Sequence, residues 1–145
     1  MAQKIIIDTD PGIDDAMAIL AALHSPDLEV LGLTTVFGNT AVELCSLNAL
    51  RLVELEGNDH IPVAQGCGQP MVHDITSFSA GVHGKDGLGN TDLPLPHGKL
   101  DPRHAAQCII DTVMANPHEV ILAPIVPLTN LAMAVLNYPD LTRLI

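Results

Sequence analysis

The run Ile5-Ile6-Ile7-Asp8-Thr9-Asp10-Pro11-Gly12-Ile13-Asp14-Asp15-Ala16-Met17-Ala18-Ile19-Leu20 decides how this chain folds. Its isoleucines form a short β-branched apolar run. Four carboxylates then fall within eight residues. Apolar residues follow through Ala22 and Leu23. The pattern is a buried strand, a tight acidic turn and an amphipathic helix. Clustered carboxylates repel one another, and a fold that gathers them usually places a cation between them, most often a hard one such as Ca²⁺ or Mg²⁺. The turn also lies at the carboxyl end of the first strand, where open α/β sheets put their ligands. One Asp before a helix is ordinarily a cap, a role open to Asp14 or Asp15. Four in this setting point to a metal or polyol site.

The remaining chain alternates strand and helix. Residues 29–36 are rich in Val, Leu and Thr and predict a second strand. Thr40-x-x-Glu43 has the form of a capping box. It precedes Val42, Cys45, Ala49, Leu52 and Leu55 at helical spacing, with Gly57 as the stop. Ile61 to Ala64 predicts a third strand. Asp101-Pro102 predicts a cap and first-turn proline for a helix containing Ala105, Cys108, Ile109, Thr112 and Val113. Glu119 to Ile125 predicts a fourth strand, and Leu128 to Leu136 a helix that ends near Tyr138-Pro139. This alternation predicts an α/β fold: a mostly parallel, Rossmann-like sheet flanked by helices, as a single domain over residues 1–145. Residues 66–100 stand apart, holding seven of the 11 glycines. A loop of that length and composition predicts a flexible lid over the acidic turn.

Composition narrows the function. The chain has 145 residues, 48% of them hydrophobic, enough for one core. A net charge of −11, only six Lys and Arg, and 2% aromatic residues argue against nucleic-acid binding. Cys45, Cys67 and Cys108 are widely spaced and read as reduced thiols, so a cytoplasmic location is expected. No apolar run is long enough to span a membrane, and the N-terminus lacks a signal-peptide pattern. Walker A, dinucleotide-fingerprint and G-x-S-x-G motifs are all absent.

The acidic run resembles the N-terminal signature of the inosine–uridine-preferring nucleoside hydrolases, calcium-dependent enzymes that cleave the N-glycosidic bond of ribonucleosides. Three further stretches resemble the family in order: Thr34-Thr35-Val36-Phe37-Gly38-Asn39, Val82-His83-Gly84-Lys85-Asp86-Gly87-Leu88-Gly89, and Pro127-Leu128-Thr129-Asn130-Leu131-Ala132. Family members are roughly twice as long, so the resemblance is to their N-terminal half. The chain is expected to be truncated near Leu144-Ile145, where another strand is due. Val126 stands where the family usually has Gly.

The resemblance implies a role for each position. Asp10 would bind Ca²⁺ and act as general base toward water. Asp15 and the main-chain carbonyl of Thr129 would also bind the metal. Asp14 and Asn39 would contact the ribose. His83 would contact or protonate the leaving base. Asp8 would be a structural partner in the turn, and the other histidines would be solvated. The partner is thus a small ribonucleoside, and homo-oligomerisation is expected. Two alternatives stand beside this: an inactive fragment with part of the fold and weak metal binding, and a Mg²⁺-dependent aspartate phosphohydrolase. The second would need phosphate-binding Lys or Arg, and few basic residues lie near any motif.

Overall fold

In a computed structural model, residues 2–75 and 78–145 are described. Thr76 and Ser77, in the stretch read as a lid, lie outside the described residues. The sheet comprises β1 (Gln3–Thr9), β2 (Leu28–Thr35), β3 (Val63–Gln65) and β4 (Val120–Pro124). All three pairings are parallel, in the order β3-β2-β1-β4. Helices α1 (Ile13–His24), α2 (Val42–Leu55), α4 (Ala105–Ala115) and α5 (Thr129–Asn137) connect or follow the strands, and α3 (Ala80–His83) is a single turn.

Side chains alternate across a strand, so adjacent isoleucines of β1 serve different layers. Ile7 packs with Ile19, Leu33, Ala49, Leu52, Val53 and Val63, the core shared with α1 and α2. Ile6 packs with Ala106, Ile109, Ile110, Val113, Val120, Ala134 and Leu141, the core under α4 and α5. A strand buried on both faces must be apolar throughout, which explains the unbroken Ile5-Ile6-Ile7 run. The chain winds outward from β1 to β2 and β3, then returns to place β4 on β1's other side. The order reverses at β1 and β4. Their carboxyl ends therefore flank the crevice where such sheets bind ligands.

Two expected caps do not form. The N-cap of α2 is Ala41, with no side-chain cap. Thr40 Oγ1 is instead 3.1 Å from Cys45 Sγ, which removes it from capping. The N-cap of α4 is His104, whose Nδ1 accepts from the Ala106 N–H at 3.2 Å. Asp101 is held earlier by Arg103 and by a parallel bridge to Ala64. His104 is exposed, as expected, and also caps the helix. His97, its side chain 94% exposed, pairs with Glu54 at 2.6 Å on the surface.

Ile109 of α4 is fully buried, clustered with Ile6 and Val120 of the sheet. Ile109→Ala should lower stability by about 2–5 kcal/mol, the usual effect of emptying such a site. Urea unfolding checks this; a loss under about 1 kcal/mol would mean that this layer repacks.

Candidate active site

Asp8, Asp10 and Asp15 are all buried at the carboxyl end of β1 and the start of α1. Among the described residues, no Lys or Arg pairs with any of them or with Asp14. Neutral donors hold them instead. Asp15 Oδ1 accepts from Thr9 Oγ1 at 2.8 Å, and Oδ2 accepts from the Gly12 N–H at 3.3 Å and Asn39 Nδ2 at 3.0 Å. Asp15 therefore also closes the first turn of α1 by binding back to its N-cap, Gly12. Asp10 Oδ2 accepts from the Asn39 N–H at 2.6 Å, and its main-chain carbonyl from Asn39 Nδ2 at 3.1 Å. Asn39 thus ties the two carboxylates together. Asp8 Oδ1 accepts from Thr34 Oγ1 at 2.7 Å and Asn130 Nδ2 at 2.8 Å. Its Oδ2 is buried with no partner among the described residues.

These environments show in the acidities. Burial first, then the charge of Asp15, push the Asp10 carboxyl up to about 7, against the Asn39 N–H. Burial pushes Asp8 up to about 6, against the hydrogen bonds from Asn130 and Thr34. Two ionised carboxylates are unfavourable here unless positive charge arrives.

The expected residues do not all converge. Asp10, Asp15, Asn39 and His83 lie together. His83 Nδ1 accepts from the Ile13 N–H at 3.2 Å, placing the ring over the start of α1. Asp14 points outward, its side chain 82% exposed, and is 3.8 Å from His83 Nδ1. Thr129 is the first residue of α5, beside the crevice and buried. Val126 is not among the residues with positive φ, so the entry to α5 does not require glycine. Among the described residues, no three Asp, Glu, His or Cys side chains gather to hold a metal ion. The oxygen donors form an open set.

The glycine-rich stretch is built rather than slack around His83. Asp86 Oδ1 accepts from the Leu88 and Asn90 N–H groups at 2.9 and 2.7 Å, and Leu88 is buried. Gly84, Gly87 and Gly89 all take positive φ. Asn48, on the buried face of α2, joins this turn to the acidic one: its Nδ2 donates to the carbonyls of Asp86 at 2.8 Å and Pro11 at 3.4 Å. Sequence reading passed over Asn48. The available signal was a polar residue on the apolar stripe of Cys45, Ala49 and Leu52.

The fold and this crevice define a doubly wound α/β protein with a cluster of buried carboxyl groups at the point where strand order reverses. The chain belongs to the inosine-uridine preferring nucleoside hydrolase family, whose model matches residues 5–145. A probable uridine nucleosidase 2 of Arabidopsis thaliana is 46% identical over 145 residues, covering 97% of this chain and 44% of that protein. An inosine-uridine preferring nucleoside hydrolase of Leishmania major is 45% identical over 137 residues, covering 93% and 43%. A solved plant nucleoside hydrolase, PpNRh1, superposes with a TM-score of 0.95 at 42% identity, covering 99% and 46%. The chain spans less than half the length of these relatives.

Gly38 shows how tightly the site is packed. A Cβ there would lie 1.8 Å from Asp10 Oδ2, whereas one on Gly81 would meet open space. Gly38→Ala should therefore cost about 1–3 kcal/mol by overpacking and move the Asp10 carboxylate, while Gly81→Ala should be neutral. Thermal melts of the two variants check this; equal midpoints would mean that the Asp10 pocket is loose.

Proposed function

We propose that this chain carries the acidic half of an N-ribohydrolase site that splits a ribonucleoside into free base and ribose. One observation carries the reading. Asp10 has Oδ2 fixed by the Asn39 N–H, and no other residue among those described donates to its Oδ1. A carboxylate held by one oxygen and open at the other suits a general base. The supporting facts are the family and the acidic crevice.

The C1′–N bond breaks with oxocarbenium character. The reaction therefore needs an activated water, contacts to the ribose hydroxyls and a proton for the departing base. In this reading Asp10 Oδ1 takes the water's proton as its oxygen bonds to C1′. Asn39 commits its NH₂ group to Asp10 and Asp15, so its Oδ1 is left to accept from a sugar hydroxyl. The exposed Asp14 carboxylate accepts from another. His83 uses Nδ1 as an acceptor, so its neutral ring carries the proton on Nε2 and donates it toward the leaving base.

Asp10, Asp15 and the Thr129 carbonyl would hold Ca²⁺. The fit rests on three features: an all-oxygen donor set, no Lys or Arg pairing with the carboxylates among the described residues, and burial together with the Asp15 charge, which raise Asp10. Bound calcium lowers the pKa of a water and orients a vicinal diol. Ca²⁺ takes six to eight oxygens as a rule, so this open set should bind weakly. The three free thiols suit a reducing compartment, the cytoplasm in this reading.

Calorimetry should detect calcium heat that Asp10→Ala abolishes; identical traces would remove the metal from this chain. In a protein of the relatives' full length, release of base from inosine or uridine should vanish in Asp10→Asn with folding retained. Turnover within about tenfold of the unsubstituted protein would take the general-base role from Asp10.

The 145-residue chain alone is expected to be inactive and to self-associate. The free edge of β4, with exposed Ile121, Ile125 and Leu128 nearby, invites pairing. Size-exclusion chromatography with light scattering, run beside a cleavage assay, tests both. A monomer turning over at about 1 s⁻¹ would overturn the expectation.

A further inference from the structure

Asn130 has no role in the chemistry above, yet it is fully buried at the crevice floor. Its Nδ2 donates to Asp8 Oδ1 at 2.8 Å and to the Thr35 carbonyl at 2.9 Å. Its Oδ1 accepts from the Cys67 N–H at 2.9 Å. These partners fix the amide's orientation, because the carboxylate and carbonyl only accept and the N–H only donates. One side chain therefore joins the carboxyl ends of β1 and β2 and the segment just after β3 to the first turn of α5. Space is kept for it: a Cβ on Gly66 would lie 2.1 Å from Asn130 Oδ1.

Thr129 is the residue immediately before it. The chain enters α5 through a tight turn in which the Thr129 N–H donates to the Pro127 carbonyl at 2.8 Å. Thr129 is the first residue of α5, so the helix sets the direction of its carbonyl along the helix axis. Where that first turn stands relative to the acidic pair is held by the anchored amide of Asn130, which ties it to the strand that carries Asp8 and ends just before Asp10. We propose that Asn130 is a positioning residue that sets the Thr129 carbonyl against the Asp10–Asp15 pair through its Asp8, Thr35 and Cys67 hydrogen bonds. The inference rests on the calcium reading above.

Thermal melts of the whole chain over a series of CaCl₂ concentrations separate a structural role from a positioning one. A structural role lowers the metal-free midpoint only. A positioning role also shrinks the rise with calcium, since that rise reports affinity for the folded state. Asn130→Asp should weaken calcium by roughly 10–100-fold, the usual range for groups that orient metal ligands. Asp8→Asn keeps an acceptor oxygen for Thr34 and Asn130, so it should retain most of the calcium rise. If Asn130→Asp does not melt cooperatively, Asn130→Ser removes the same bonds without adding a charge and carries the comparison. An undiminished rise in the Asn130 variant, or an equal loss in Asp8→Asn, overturns the proposal. No rise in the unsubstituted chain would instead remove the calcium reading itself, and this inference with it.

Discussion

Burying three carboxyl groups where β1 gives way to α1, with no Lys or Arg paired to them among the described residues, is the constraint from which the rest of the structure follows. An unpaired buried acceptor costs about 1–3 kcal/mol, and an ionised one costs more. Asp8, Asp10 and Asp15 therefore need donors, and the donors come from several neighbouring elements: Thr9 from β1, Thr34 from β2, Asn39 from the loop after β2, and Asn130 from α5. Each bond holds only in one register. Thr34 reaches Asp8 because the two are paired in the β1–β2 ladder. A one-residue slip would turn Thr34 to the opposite face and strand the carboxylate.

Close approach is the second half of the same constraint. Cβ atoms on Gly12, Gly38 and Gly66 would lie 2.6 Å from Asn39 Nδ2, 1.8 Å from Asp10 Oδ2 and 2.1 Å from Asn130 Oδ1. None of the three takes positive φ. They are glycines because side chains that bind the carboxylates, or the carboxylates themselves, fill the space a Cβ would take. Gly84, Gly87 and Gly89 differ: they turn the backbone through left-handed conformations so that the loop can close beneath Asp86.

The doubly wound alternation and the acidic turn were legible in the sequence because both are local patterns: a run of isoleucines, adjacent acids, and apolar residues at helical spacing. Strand and helix limits came within a residue or two for the same reason, as with residues 29–36 against Leu28–Thr35. The misses were tertiary. Thr40 and Glu43 have the right spacing for a cap, but the packed thiol of Cys45 draws the Thr40 hydroxyl away. His104 caps α4 although histidine is no strong capping signal. The stretch around His83 read as slack because glycine count says nothing about which carbonyl or carboxylate each N–H finds. Asn130 and Asp8 are 122 positions apart, so no local pattern could have paired them.

The choice of neutral donors has a chemical consequence. A lysine at position 39 or 130 would satisfy Asp15 or Asp8 more strongly than the side-chain amide does, because a charged donor roughly doubles the strength of a hydrogen bond. It would also cancel the negative field and fill the place that the proposed reading gives to a cation and a water. Asn39 fills some of the carboxylates' lone pairs and leaves their charge in place. The fold therefore remains short of positive charge at this point. Burial, and after it the Asp15 charge, push Asp10 upward against the Asn39 N–H. Two ways of relieving it remain, a proton or a metal ion. Of these, only a metal ion leaves Asp10 ionised and able to accept a proton from water.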